Sequence, residues 1–227
     1  MTAALKAKLA AGQPVTMVGV RYGAPALVER IGELGFDAAF IDCEKRSYTF
    51  ERIEDMCRAA RAAGIASVVR PWSQEPGLVS RYLDIGADGI MVASIEDVQA
   101  ACALVEGVRY ARHADYDSKL VIGMIESPQA VERLPQLLKV EGVDVWFIGG
   151  NDLAQRMGFP GGGRRPEVQA MVERAVGQIV GAGQVCGALV DADNVRARLD
   201  QGVRFLLVGM DMLLATGSRA FQERLPS

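Results

Sequence analysis

The sequence predicts a single (β/α)8 barrel, and three features of the chain support this fold class. Continuous apolar runs, typical of parallel strands buried on both faces, alternate eight times with segments of helical spacing. Most of the helical segments end at a glycine, and the next strand follows within a few residues. No linker or low-complexity stretch interrupts this alternation across residues 1–227. Repeated strand–helix units with right-handed crossovers close most naturally at eight.

The predicted elements follow each other in a regular order. A short N-terminal helix within residues 1–13 precedes the first strand. Runs rich in Val, Ile, Leu and Phe predict strands at 15–20, 38–43, 66–70, 89–93, 120–125, 143–148, 185–190 and 205–209. Apolar residues spaced three or four apart predict helices at 25–34, 50–63, 78–85, 95–108, 129–140, 166–182, 191–199 and 213–225.

Two further patterns bear on the choice of fold. A glycine that ends a helix leads within one or two residues into the next strand at four places, which predicts tight turns at the amino-terminal end of the barrel. The alternative fold is a doubly wound open sheet. That fold favours a glycine-rich turn after the first strand, and residues 19–23 lack its spacing.

Composition excludes several classes of function. The net charge is −3, and no dense Lys/Arg block indicates a nucleic-acid partner. No stretch of about 18 apolar residues is long enough to span a membrane. The four cysteines lack paired spacing, which is typical of a reduced protein, so a cytoplasmic location is predicted. Cys43, at a predicted strand end, is interpreted as a small packing residue rather than a nucleophile.

Two carboxylates at neighbouring strand ends are the strongest candidates for chemistry. Glu126 directly follows the fifth predicted strand, and Asp152 comes four residues after the sixth. Carboxyl ends of barrel strands carry the active site in this fold class, and two carboxylates there can hold one divalent cation. The structural alternative is that Glu126 caps the helix starting near Pro128 and that Asp152 caps a short turn.

Other polar residues are predicted at the same end of the barrel: Asp42, Glu44, Lys45, Arg70, Asn151, Asp191 and Asp211. Arg70 could instead form a structural ion pair with Asp42 or Glu44, because buried charges require partners. Asp191 is better interpreted as a helix cap. His113, the one histidine, lies in a polar stretch that predicts a surface loop.

Several phrases, taken together, resemble the HpcH/HpaI aldolase family. They are GFDAAFIDCE at 35–44, VRP at 69–71, LDIGA at 83–87, GVDVWFIG at 142–149, DL at 152–153 and MGFPG at 157–161. Members of this family are metal-dependent class II aldolases of the phosphoenolpyruvate/pyruvate barrel superfamily. The resemblance covers nearly the whole chain in order. It implies a divalent metal (Mg, Mn or Co), a pyruvate-like 2-oxo acid substrate and a dimer-based homo-oligomer, with a hexamer as one form.

The resemblance also implies roles for individual residues. Glu126 and Asp152 match the two metal ligands of the family. Arg70 matches an arginine that stabilises the enolate oxygen. The backbone amides of Gly150 and Asn151 match those that hold the substrate carboxylate. The helix at 213–225 matches one that packs on a neighbouring subunit in the family, although it would fit equally well on its own barrel.

Other positions match the family less completely. Asp42 and Glu44 match its acidic strand-two motif, and Asp84 matches an aspartate that tunes the catalytic base. The base itself is a histidine in the family and Lys45 in this chain. Met124 replaces a glutamine that contacts substrate. Asp42, Glu44 and Asp84 would keep Lys45 protonated. Lys45 is therefore predicted to hold a substrate carboxylate as a cation, or to be an ion-pair partner, rather than to act as a base.

The remaining departures leave three functions open. The family usually has Pro-Ala before the metal aspartate, where this chain has Gly150-Asn151, and residues 106–119 are too short for a segment that helps to enclose the site. The favoured function is a metal-dependent lyase that forms or cleaves a carbon–carbon bond beside a 2-oxo acid enolate. The alternatives are a condensing enzyme, of the citrate-synthase or acyl-CoA-lyase kind, and an idle 2-oxo acid binder.

Overall fold

The computed structural model describes residues 1–226 as one closed barrel of eight parallel strands in chain order. The strands are β1 Val15–Gly19, β2 Ala38–Asp42, β3 Ala66–Arg70, β4 Gly89–Val92, β5 Leu120–Ile125, β6 Val145–Ile148, β7 Cys186–Leu189 and β8 Phe205–Gly209. The helices are α1 Thr2–Ala10, α2 Pro25–Glu33, α3 Phe50–Ala62, α4 Pro76–Asp84, α5 Val98–Ala111, α6 Pro128–Leu137, α7 Gly150–Arg156, α8 Pro166–Gly181, α9 Val195–Asp200 and α10 Met210–Gln222. The predicted (β/α)8 fold is confirmed.

Two apolar layers hold the barrel together. Large side chains of alternate strand positions fill its interior, among them Met17, Phe40, Met91, Phe147 and Phe205. Leu5 and Leu9 of α1 belong to this inner cluster, so the N-terminal helix closes the amino-terminal end of the barrel. The other strand positions pack outward against the helices, which explains why the strands are apolar on both faces.

Aspartates at three of the predicted tight turns pin neighbouring strands together. Each lies two residues after a glycine with positive φ, namely Gly35, Gly86 or Gly142. Each carboxylate accepts a backbone N–H at the start of the preceding strand: Asp37 from Thr16 at 2.8 Å, Asp88 from Ser67 at 3.0 Å and Asp144 from Val121 at 2.8 Å. The glycine supplies a left-handed turn that other residues rarely adopt.

Several helix boundaries differ from the prediction. α5 begins at Val98 instead of 95 because Asp97 caps it by accepting the N–H of Ala100. α9 begins at Val195 instead of 191, because the Asp191 carboxylate organises a preceding turn by accepting the N–H groups of Asp193 and Asn194. α7 was not predicted at all. Over residues 1–226, none of the helices combines the length and apolar character that crossing a bilayer requires.

Candidate active site

A cavity of about 480 Å³ opens at the carboxyl ends of the strands. Seven of the ten residues assigned to the site from the sequence line it: Asp42, Lys45, Arg70, Met124, Gly150, Asn151 and Asp152. Its wall also contains residues for which the sequence suggested no role, among them Arg21, Leu189 and Met212. Arg46 lines it too. The strand ends therefore bring together most of the predicted set.

Glu126 lies directly after β5 and is almost completely buried, with 2% of its surface exposed. Its Oε2 accepts a hydrogen bond from the Ser94 backbone N–H at 2.8 Å and one from the Ser94 hydroxyl at 3.3 Å. Glu126 does not cap α6, because Ser127 does so by accepting the N–H of Ala130 at 3.0 Å. The helix-cap alternative for Glu126 is therefore wrong.

Asp152 lies in the first turn of α7, three residues after the N-cap residue Gly149. Its side chain is one-third exposed, and its Oδ1 is 3.6 Å from the Lys45 ammonium. Gly149 also permits the approach of Glu126, because a Cβ at that position would lie only 2.6 Å from the Glu126 side chain. A glycine at this point therefore lets the end of β6 approach the carboxylate carried by β5.

The arrangement fits a hard divalent cation. Burial raises the pKa of the Glu126 carboxyl above its ordinary value, and the negative charges of Asp152 and Glu44 raise it further, while the Ser94 N–H and Arg70 oppose the rise. Crowded carboxylate oxygens of this kind are the ligands that Mg²⁺ and Mn²⁺ favour. Among residues 1–226, no three acidic, His or Cys side chains lie together in a group that could hold a metal ion. A cation here would have two protein carboxylates and open positions.

Arg70 is buried and held at both edges by acidic groups. Its Nε and Nη2 donate to the two carboxylate oxygens of Asp42 at 2.9 and 2.8 Å. Its Nη1 lies 3.1 Å from the Glu44 carboxylate and 3.9 Å from the Met124 sulfur. The ion pair considered as the structural alternative is thus present. It also fixes the guanidinium in the cavity wall, so the pair orients Arg70 towards the cavity rather than withdrawing it.

Lys45 forms a cationic bridge between two acids. Its Nζ lies 3.0 Å from the Glu44 carboxylate and 3.6 Å from that of Asp152. The hydrogen bond to Glu44 raises the pKa of the Lys45 ammonium, burial partly offsets this rise, and the charge of Asp152 adds to it. The direction of this pKa shift is the one expected from the sequence, although its acidic causes are Glu44 and Asp152 and not Asp42 or Asp84. A protonated lysine does not accept the proton of a substrate.

Within one chain, Asp84 is placed away from this site, so the chain itself does not bring it to Lys45 as the residue that tunes the base. It is the last residue of α4, and a helix that follows a barrel strand ends near the start of the next strand. Its exposed carboxylate lies 3.9 Å from Arg112, at the amino-terminal end of the barrel. The exposed His113 lies in the same region, between α5 and β5, so within one chain it does not replace the missing histidine.

A hydrogen-bond network behind Glu126 was missed by sequence reasoning. Ser94 has φ of +57°, a left-handed conformation that is unusual for a residue with a side chain. Arg156 of α7 donates to the Ser94 hydroxyl at 2.6 Å and also pairs with Glu96. Glu96 in turn accepts from the Ser127 hydroxyl at 2.5 Å. The helix that carries Asp152 is thereby connected to the loop that holds Glu126.

Fold and site together define the class of protein: a (β/α)8-barrel enzyme with an acidic pair and a clamped arginine at the carboxyl ends of its strands. A model of the HpcH/HpaI aldolase/citrate lyase family matches residues 16–217. The chain belongs to this family.

Named relatives and solved structures agree with this assignment. A 4-hydroxy-2-oxo-heptane-1,7-dioate aldolase from Shigella sonnei is 31% identical, over 99% of this chain and 95% of its own. A pyruvate aldolase from Rhizobium etli is 32% identical, over 96% of both chains. The structure of an HpcH/HpaI aldolase from Desulfitobacterium hafniense superposes with a TM-score of 0.85 at 27% identity and 98% coverage of both chains. The chain is therefore an enzyme of the aldolase type, a carbon–carbon lyase.

Proposed function

We propose that this enzyme forms or cleaves a carbon–carbon bond beside the enolate of a pyruvate-like 2-oxo acid, with a divalent cation held by Glu126 and Asp152. The observation that carries the proposal is the buried Glu126, which shares the catalytic end of the barrel with Asp152 and the clamped Arg70. The names of the two relatives, a pyruvate aldolase and a 2-oxo acid aldolase, support the substrate class.

Charge development on the substrate decides what each group would do. An enolate carries negative charge on oxygen, and a divalent cation would supply Lewis-acid stabilisation there. Arg70, oriented by Asp42, would place a fixed guanidinium beside the same oxygen. The first-turn amides of α7, at Gly150 and Asn151, would bind the substrate carboxylate.

The remaining wall of the site would adapt it to its substrate. Met124 contacts Arg70 through its sulfur and would give the substrate an apolar neighbour. Glu44 holds Lys45 as an ammonium, so Lys45 would attract a second anionic group of the substrate instead of removing a proton. This role for Lys45 accounts for the departure from the histidine of the family.

Exchange of the pyruvate methyl protons in D2O tests the proposal, because it requires enolate formation and no second substrate. With Mg²⁺, Mn²⁺ or Co²⁺ added, exchange above the uncatalysed rate is expected, and R70M and D152N should each lower it by about 100-fold or more. D193N is the matched control, since Asp193 is 80% exposed and outside the cavity. Absence of exchange, despite metal-dependent binding of pyruvate, would show that the protein binds a 2-oxo acid without forming its enolate.

Restoring the histidine tests the interpretation of Lys45. The variant K45H places a base at the family's position whose pKa Glu44 and Asp152 would raise but leave far below that of lysine, so aldol cleavage should become faster, by about tenfold or more. The pH profile of its kcat should acquire a limb above the ordinary pKa of histidine, about 6.5, because both carboxylates favour the protonated imidazole. Equal or slower cleavage by K45H, with the metal affinity unchanged, would show that Lys45 serves the chemistry directly.

A condensing enzyme is the second candidate function. The observation that favours it is the structure of Citrate synthase SbnG, which superposes with a TM-score of 0.84 at 26% identity and 96% coverage of this chain. Release of free thiol from an acyl thioester in the presence of oxaloacetate would identify this activity. Thiol release in parallel with enolate formation would favour condensation over aldol cleavage.

We also propose a homo-oligomer, built from dimers, in a reducing compartment such as the cytoplasm. All four cysteines are unpaired in the structure, as expected of a protein kept reduced. The last helix, predicted at 213–225 and observed as α10, supports association between subunits. None of the residues of α10 is buried by the chain itself.

A further inference from the structure

A second cavity, of about 350 Å³, adjoins the active-site cavity between the outer face of β7 and the helices α8 and α9. Four residues line both cavities: Gly150, Asn151, Leu189 and Met212. The two spaces therefore meet at the beginning of α7. Asn151 and Leu189 belong to the wall that the two cavities share.

The second cavity contains a buried arginine without an acidic partner. Arg198, on α9, is 7% exposed. Its Nη2 donates to the Gln169 side-chain oxygen at 2.6 Å, and its Nη1 donates to that of Gln201 at 2.8 Å. Both acceptors are neutral, and within residues 1–226 no carboxylate forms a salt bridge with Arg198. A buried guanidinium is costly unless an anion compensates its charge.

The carboxylate that lines the same cavity is already occupied. Asp191 accepts from Arg164 at 2.8 Å through Oδ2. Its Oδ1 accepts the backbone N–H groups of Asp193 and Asn194 at 3.0 and 2.9 Å. The two arginines and one aspartate that line the cavity therefore leave one positive charge uncompensated, and that charge is on Arg198.

We propose that this cavity binds an oxyanion, a carboxylate or a phosphate, at the far end of the acceptor molecule, with Arg198 as its principal ligand. Arg198 uses two of its five N–H donors, which leaves three for the anion. Gln169 holds the guanidinium in place while its own Nε2 donates to the Gly163 carbonyl at 2.5 Å. The assignment to the acceptor rests on the proposed function, whereas the anion site itself does not.

Binding of simple anions tests the site directly. Titration calorimetry with inorganic phosphate and with succinate is expected to give saturable binding to the wild type. The Kd of the bound anion should rise by about tenfold or more in R198M and R198Q. R198Q keeps a polar side chain at this position, so it keeps the test valid if R198M fails to fold. R196M is the control, because Arg196 is on the same helix, 86% exposed and paired with Asp200.

The pattern of results identifies the anion. The site is supported if the wild type and R196M bind phosphate, succinate or both, and the Arg198 variants lose this binding. The anion that binds shows which group the site prefers. Failure of the wild type to bind either anion overturns the proposal. Equal binding by R198M, R198Q and the wild type also overturns it, because the anion is then held elsewhere.

Steady-state kinetics test the link to the acceptor. With pyruvate as donor, R198Q should raise KM for 4-oxobutanoate by about tenfold and leave kcat and the KM for uncharged butanal nearly unchanged. An equal effect on both aldehydes would contradict the assignment to the acceptor. Pyruvate proton exchange does not involve an acceptor. If exchange is absent, the proposed function is disproved, but anion binding by Arg198 can still be observed.

Discussion

At the scale of single residues, the site depends on side chains that hold the reactive groups as well as on those groups themselves. Ser94 is one of them: it turns both its N–H and its hydroxyl towards Glu126. Arg156 donates to the same hydroxyl, which orients the hydroxyl proton towards the carboxylate. Residues that orient metal ligands in this way typically change metal affinity by 10- to 100-fold when they are replaced.

The variant S94A should therefore weaken Mn²⁺ binding by about tenfold or more, because Glu126 loses a donor and Arg156 loses one of its two acceptors. Direct titration followed by electron paramagnetic resonance measures this Kd without any substrate. S80A is the matched control, since the Ser80 hydroxyl bonds only a carbonyl of its own helix. An unchanged Mn²⁺ affinity in S94A would show that the Ser94 hydroxyl does not orient Glu126.

The main groups of the site could be predicted from the sequence, but the side chains that hold them in place could not. Glu126 and Asp152 could be predicted because each follows an apolar strand run. Ser94 and Arg156 could not, since their partners lie 32 and 62 residues away along the chain and no local pattern marks them. Asp84 was assigned from the resemblance alone, and the single chain places it at the other end of the barrel.

At the scale of elements, the strands and helices could be predicted well because both follow the burial pattern of the barrel. α7 was missed for a physical reason. It has seven residues, too few to show a helical period, and it begins at the paired Gly149 and Gly150, which predict a turn. The sequence therefore showed the carboxylate of Asp152 but not the helix that carries it.

The aspartate turns make a testable contribution to stability. In D88A, the Ser67 N–H and hydroxyl lose acceptors at 3.0 and 3.1 Å. The free energy of unfolding should fall by about 1–3 kcal/mol, measured by urea denaturation. D88N keeps one acceptor oxygen and should lose less, and D55A changes an exposed helical aspartate as the control. Equal stabilities of D88A and D55A would contradict a role for Asp88 in joining β3 to β4.

At the scale of the whole molecule, α10 leaves an apolar surface uncovered. Leu214 and Phe221 of α10, and Leu225 just after it, are at least half exposed. An apolar cleft of about 240 Å³ lies beside the helix and is lined by residues that include Phe36 and Val195. Contiguous exposed apolar surface of this kind is typical of a contact between proteins. The chain is expected to associate with copies of itself through α10.

Light scattering coupled to gel filtration measures this association. The wild type should elute as a dimer or a larger assembly of the 24.4 kDa chain. The double variant L214E/F221E should shift towards the monomer, because it places charges in the proposed contact. Y110E changes an exposed aromatic residue on α5 and should leave the assembly intact. A wild type that elutes as a monomer would disprove the association.

Gly149 has a consequence for attempts to redesign this barrel. Its missing side chain is the space that Glu126 occupies, so any larger residue there would displace a carboxylate carried by a different strand. A mutant library aimed at new substrates should keep Gly149 and vary Leu189 and Met212, which line both cavities. At the catalytic end of the molecule, Gly149 should therefore be kept, whereas the neighbouring cavity wall can be substituted.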